Sequence, residues 1–264
     1  MKRGFPVNVF IIFLVITVIS AVGFIKYVYY FSVGYGFSIA GIGITILILM
    51  HESKVSIMCI LLILYGLRLG GYLLMREIKS EKYRKFMNGE IKENVSLTVK
   101  LSIWAGCILL YFCQCSPIFF RAESGKNMDI FYIAGIILAA VGIFFESLAD
   151  FQKSRAKSEN SGRFVDTGLY KIVRCPNYFG EILLWTGVFI SGINIYSSFI
   201  QWICALTGYI GIIYVMFSGT RRLEIRQDKI YGCDTEYIEY IKNTPIIIPF
   251  LPIYSVKKYK WLVA

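Results

Sequence analysis

Histidine occurs once in these 264 residues, at position 51, and charged residues make up only 17% of the chain. A single imidazole beside Glu52, with no second His or Cys nearby, is a poor metal site. No Ser-His-Asp arrangement is recognisable around it. The seven cysteines include no C-x-x-C pair, and an odd number makes a poor disulfide framework. They read as reduced, small apolar core residues. The chain also lacks an internal repeat and a low-complexity segment. A soluble domain carries about 25% charge, so the shortage of charge itself argues against an ordinary soluble enzyme.

What the sequence does have is long apolar runs. Residues 7–25 hold nineteen positions without a charge, 130–149 hold twenty with Glu146 alone, and 198–218 hold twenty-one with none. About 20 apolar residues cross a hydrocarbon core of roughly 30 Å as a helix. Seven such spans are expected, near 7–25, 36–50, 55–75, 97–117, 130–149, 178–195 and 198–217, with the sixth and seventh joined by a tight turn around 194–197. The expected fold is an all-α polytopic helix bundle forming a single membrane domain over 1–264. The first run exceeds a usual signal-peptide core and is followed by no clear A-x-A-like site, so it reads as the first span. The net charge of +11 does not point to nucleic acid, because the basic residues flank apolar runs and form no basic domain of their own. The lipid bilayer is the partner they suit.

Lys and Arg in the connections set an expected orientation. Lys26, the 76–96 and 150–177 loops and the C-terminal tail together hold 21 of them. The opposite side holds five: Lys2, Arg3, Lys54, Arg121 and Lys126. The large loops and the C-terminus should then be cytoplasmic, and the sequon at Asn94 should escape glycosylation.

Three polar clusters flank the ends of the last three spans. Glu146, Asp150, Lys153 and Lys157 share one helix face by their spacing. A carboxylate at Glu146, still inside the apolar run, is costly unless it is paired or faces a polar cavity. The second cluster is the stretch from Gly168 to Glu181. Pro176 suits a first helical turn, which puts Asn177 and Glu181 on one face beside free backbone N–H groups. Arg163, Lys171 and Arg174 approach from the preceding loop. The third is Arg221, Arg222, Glu224, Arg226 and Asp228. Ion pairs leaving the membrane, a helix cap and a positive-inside anchor are the plain alternatives for these clusters. Arg68, in the glycine-rich Tyr65-Gly-Leu-Arg-Leu-Gly-Gly-Tyr72, must face the bundle interior or reach an edge. The stretch from Tyr237 and Tyr240 to Ile246-Ile-Ile-Pro-Phe250 is expected to pack on the membrane face.

The motifs Phe144-Phe-Glu-Ser-Leu-Ala-Asp-Phe-Gln-Lys153, Asp166-Thr-Gly-Leu169 and Arg174-Cys-Pro-Asn-Tyr-Phe-Gly-Glu181 resemble membrane proteins related to steroid 5-alpha-reductase. The likeness extends to Gly66-Leu-Arg-Leu69 and to the tail from Tyr237 to Phe250, and is strongest over 140–251. The resemblance implies seven helices, with NADPH held at the cytoplasmic ends of the last ones. Asp150, Arg163, Asn177, Glu181 and Arg221 stand where the reductases contact NADPH. Glu146 stands where characterised reductases have Asn, and Cys175 departs from the Arg-His-Pro-Asn of the nearest branch. With Lys157, Arg174, Tyr178 and Glu224, these residues except Cys175 form the candidate cofactor set. The substrate-polarising acid and tyrosine of the reductases lie in early helices, where Tyr65, Tyr72 and Glu52 are the candidates.

The same Pro-x-Tyr-x-Gly turn and Tyr-x-x-Tyr tail are similar to isoprenylcysteine carboxyl methyltransferases, which bind S-adenosylmethionine; Glu224 would match their acidic position after the last helix. The expected activity is therefore NADPH-dependent reduction of an activated double bond in a hydrophobic small molecule. Methylation of a lipid or prenylated substrate, and a non-catalytic membrane scaffold, are the other readings.

Overall fold

The computed structural model describes residues 5–50, 53–79 and 95–263. His51, Glu52, the sequon's Asn94 and most of the 76–96 loop lie outside the described residues. Eight α-helices run in chain order among those described: α1 Phe5–Ser20, α2 Val33–Met50, α3 Ser56–Lys79, α4 Leu97–Ser124, α5 Ile130–Glu159, α6 Pro176–Ser191, α7 Phe199–Tyr231 and the short α8 Thr235–Asn243. Seven helical segments are long and apolar enough to cross a membrane, and no strand occurs among the described residues. The chain groups into two compact units, residues 1–136 with 188–209, and residues 137–187 with 210–264.

The helices run past the apolar runs that nucleate them. A 3-10 turn at Tyr27–Phe31, with Tyr30 buried, leads into α2 and lengthens the short second run. Helix α4 passes through Pro117, which removes the N–H that would bond the Cys113 carbonyl. The Ser116 hydroxyl donates to that carbonyl at 2.8 Å instead, so the helix continues to Ser124. Along α1, Val7, Phe10, Leu14 and Val18 are exposed while Ile12 and Ile16 are buried. An exposed apolar stripe at helical spacing suits lipid rather than water.

In the first unit, α2 and α3 meet backbone to backbone at glycines. A Cβ on Gly36 would lie 2.6 Å from the Gly70 nitrogen, and one on Gly66 would lie 2.3 Å from the Gly36 carbonyl oxygen. The glycine-rich stretch around Arg68 therefore serves helix packing, as small residues do in membranes. Arg121 is fully buried at the end of α4. It donates to the carbonyls of Ser191 and Asn127, pairs with Asp129 at 2.8 Å, and lies 4.4 Å over the Tyr132 ring. It satisfies the Ser191 carbonyl at the end of α6, which would otherwise be orphaned, and the Asn127 carbonyl in the α4–α5 connection. The contacts Lys26 to Glu77, Lys54 to the Gly125 carbonyl and Lys126 to the Asn194 carbonyl each join connections that seven alternating spans would put on one face.

The second unit has its own glycine crossing. A Cβ on Gly142 would sit 2.5 Å from the Gly180 oxygen and the Leu184 nitrogen; one on Gly180 would sit 2.7 Å from the Glu146 nitrogen. Gly180→Leu should thus force α5 and α6 apart and cost roughly 1–3 kcal/mol or more, as overpacking does. Gly106, whose Cβ would meet nothing within 4 Å, is the control. Thermal unfolding in detergent should show Gly180→Leu melting well below wild type and Gly106→Leu melting close to it.

Candidate functional site

The second unit is organised around the first turn of α6. Pro176 occupies the first helical position, and the Cys175 carbonyl accepts the Phe179 N–H at 3.1 Å. The Gly142–Gly180 crossing then presses Glu146 of α5 and Glu181 of α6 inward, so both carboxylates are buried. Immediately before the helix, the Arg174 backbone N–H donates to the Pro245 carbonyl at 2.9 Å. Its guanidinium pairs with Glu224 of α7 at 3.5 Å, with side chains 2% and 4% exposed, and donates to the Tyr254 carbonyl. Glu224 accepts the Val256 N–H on its other oxygen at 3.0 Å. Nε and Nη1 of Arg174 are buried with no hydrogen-bond partner among the described residues. A buried guanidinium with two nitrogens, three N–H bonds in all, left unused leaves a strong demand for an acceptor.

More polar groups converge here. The Tyr178 hydroxyl lies over α7 at Gly219, where a Cβ would come within 3.3 Å, in the field of Glu181, Arg222 and Arg226. Cys175 is buried, and burial pushes its thiol up to about 11 against the opposing pull of the Arg174 and Lys153 charges. Asn177 and Asp150 are half-buried on α6 and α5.

The loop between α5 and α6 explains its own motif. Gly168 adopts a left-handed φ of 61°, and a Cβ there would sit 2.4 Å from the Gln152 Oε1, which accepts the Leu169 N–H at 2.8 Å. Only glycine fits a turn so close to α5. Farther out, Lys157 donates to the Tyr231 hydroxyl at 2.9 Å and to the Arg163 carbonyl. Arg163 pairs with Asp166 and with Glu236 of α8 at 2.9 and 2.5 Å. Tyr240 donates to the Tyr170 carbonyl at 2.7 Å, and Tyr237 to Asp228 at 2.6 Å. Tyr237, Ile246 and Ile247 are buried inside the unit. Within the stretch expected on the membrane face, Tyr237, Ile246 and Ile247 therefore pack inward, because the polar groups around them find protein partners, while Glu239, Lys242 and Asn243 are exposed.

The structure thus brings together Glu146, Arg174, Tyr178, Glu181 and Glu224 around the α6 start. Lys157 and Arg163 brace the exposed α5–α6 loop against α7 and α8. Arg221 is engaged by the tail, donating to the carbonyls of Lys257 and Leu262 at 3.2 and 3.4 Å. The tail's part in the site, through Tyr254 and Val256, went unread in the sequence, since it is made by backbone groups that no side-chain pattern encodes. Tyr65 and Tyr72 belong to the first unit. Tyr65 is fully buried, its hydroxyl 3.2 Å from that of Tyr35, and Arg76 lies 5.5 Å over the Tyr72 ring. Glu52 lies outside the described residues.

The profile of one family, described as "Protein of unknown function (DUF1295)", matches residues 12–244. The chain belongs to this family, which is steroid 5-alpha-reductase-like. Among curated proteins it is similar to steroid 5-alpha-reductase DET2 of Gossypium hirsutum, 24% identical over 132 residues, or 48% of this chain and 46% of that protein. The protein of the same name from Arabidopsis thaliana is 34% identical over 58 residues, covering 21% of this chain and 22% of that protein. The matches span less than half the length of either relative. No solved structure matches the chain significantly.

Proposed function

We propose that this member of the family is an NADPH-dependent membrane reductase. Its substrate would carry an activated carbon–carbon double bond in a lipid-soluble steroid-, isoprenoid- or fatty-acyl-like molecule. The observation that carries the reading is the buried Arg174, with two guanidinium nitrogens lacking acceptors beside the first turn of α6. A helix N-terminus and a guanidinium together suit phosphate oxygens. Lys153, Arg222 and Arg226 add positive charge nearby. The family and the names of the two relatives point the same way.

NADPH would supply a hydride to the electron-poor carbon and leave as NADP⁺, while a proton from a protein acid completes the reduction at the neighbouring carbon. Arg174, with Arg163 and Arg221 at its flanks, would hold phosphates. Asn177, Tyr178 and Glu181 would orient the nicotinamide end, with Glu146 and Asp150 facing them from α5. Tyr65 and Tyr72, and Glu52, are the candidates for polarising the substrate. Water exclusion by the apolar helices would protect the hydride step.

The test is reduction of lipid-soluble enones by purified protein with NADPH deuterated at the transferable position. Deuterium should appear in the product at the electron-poor carbon. Glu181→Gln should abolish NADPH binding and leave the melting temperature unchanged, because it alters charge with almost no change in volume. A lowered melting temperature with unaltered NADPH affinity would mark Glu181 as a purely structural residue. Transfer of a labelled methyl group from S-adenosylmethionine to a lipid or prenylated acceptor, with no NADPH consumption, would replace the reductase reading by the methyltransferase one.

The charge distribution, 21 Lys and Arg against five, supports a cytoplasmic C-terminus, in the endoplasmic reticulum of a eukaryote or the inner membrane of a bacterium. A reporter fused after Ala264 should be protected in intact, sealed membranes and become accessible on permeabilisation. Accessibility from the outside of intact cells would reverse the orientation.

A further inference from the structure

Helix α7 carries no charge from Phe199 to Thr220, and Arg221 is the first. Tyr214 lies seven residues before Arg221, about 10 Å back along the axis into the uncharged stretch. The end of the described chain returns to that level. The Tyr214 hydroxyl donates to the Trp261 carbonyl at 3.0 Å and accepts the Val263 N–H at 3.3 Å, and the two rings stack with centroids 6.1 Å apart. Val256 and Leu262 are buried as pegs, while Trp261 and Val263 are 65% and 73% exposed. The segment 251–263 contains three lysines and no acidic residue. Lys257 pairs with Asp228, whereas Lys258 and Lys260 stand exposed.

We propose that residues 257–263 dock on the membrane interface and bind anionic phospholipid headgroups through Lys258 and Lys260, with Trp261 inserted at the headgroup level. Indole is favoured where one face is apolar and the other wet, and lysine stems lie along apolar surface while their ammonium groups reach phosphate. Both requirements hold for a tryptophan fixed beside the uncharged part of a spanning helix with lysines next to it. The positive charge selects an anionic leaflet over a zwitterionic one. This proposal stands apart from the reductase reading, because none of its side chains belongs to the candidate cofactor set.

The experiment is hydrogen–deuterium exchange of the 250–263 peptides in the full-length protein. The protein is reconstituted in nanodiscs of phosphatidylcholine alone or with added phosphatidylglycerol. Wild-type amides should exchange more slowly in the anionic discs, and molar salt should erase that difference. Lys258→Gln with Lys260→Gln should speed exchange in anionic discs by about five-fold per lysine removed, and leave exchange in phosphatidylcholine unchanged. Trp261→Ala should speed exchange in both lipids. Equal wild-type exchange in the two lipids, or an anionic protection that survives the double lysine variant, would overturn the headgroup assignment. Unchanged exchange in Trp261→Ala would overturn the interfacial docking.

Discussion

Two charges taken out of water must find each other, and Arg174 and Glu224 do so across 3.5 Å in the second unit. The desolvation of such a pair is expensive, and its Coulomb attraction offsets the cost only if the remaining hydrogen-bonding capacity is also used. Glu224 uses its second oxygen on the Val256 N–H, and Arg174 uses Nη2 on the Tyr254 carbonyl. One ion pair therefore ties the start of α6 to α7 and fixes the segment after α8 against both. The backbone bond from Arg174 to Pro245 adds a second tie at the same residue. What the pair leaves over, Nε and Nη1 of Arg174, is the part to which the proposed anion binding is assigned.

The glycine crossing gives the pair its setting. Because Gly142 and Gly180 let α5 and α6 touch backbone to backbone, Glu146 and Glu181 are held inside the unit and away from lipid. Buried carboxylates at this depth are tolerated only among polar or positive neighbours. The field of Arg222 and Arg226 at Tyr178 supplies positive charge. A site of mixed charge results, built from three helices and closed on one side by backbone from the tail.

The seven spans were legible because bilayer crossing demands apolar runs of a set length, which composition displays directly. The start of α6 was legible for a local reason: Pro176 and the i,i+4 pair Asn177 and Glu181 carry their geometry in their spacing. Gly168 was legible as part of a motif, though its reason, the Gln152 side chain against its Cα, needed the fold. The Arg174–Glu224 pair was not legible as a pair, since fifty residues separate its members and several acids compete for the arginine on sequence alone. Arg121, counted in the sequence as an outer-side charge, is fully buried, a state set by one carbonyl at the end of α6 and one in the α4–α5 connection, which no residue pattern reports.

The central claim, that a buried ion pair both holds this unit together and presents an anion site, is tested most directly by a double-mutant cycle read with and without NADPH. Arg174→Met and Glu224→Met are measured singly and together by thermal unfolding in detergent. Each single variant should lose about 3–5 kcal/mol through an uncompensated buried charge, and the double variant should regain most of that loss. The stabilisation that NADPH gives the wild type should be absent from the double variant. Single variants that melt with the wild type, or a double variant that NADPH stabilises as strongly, would contradict the account.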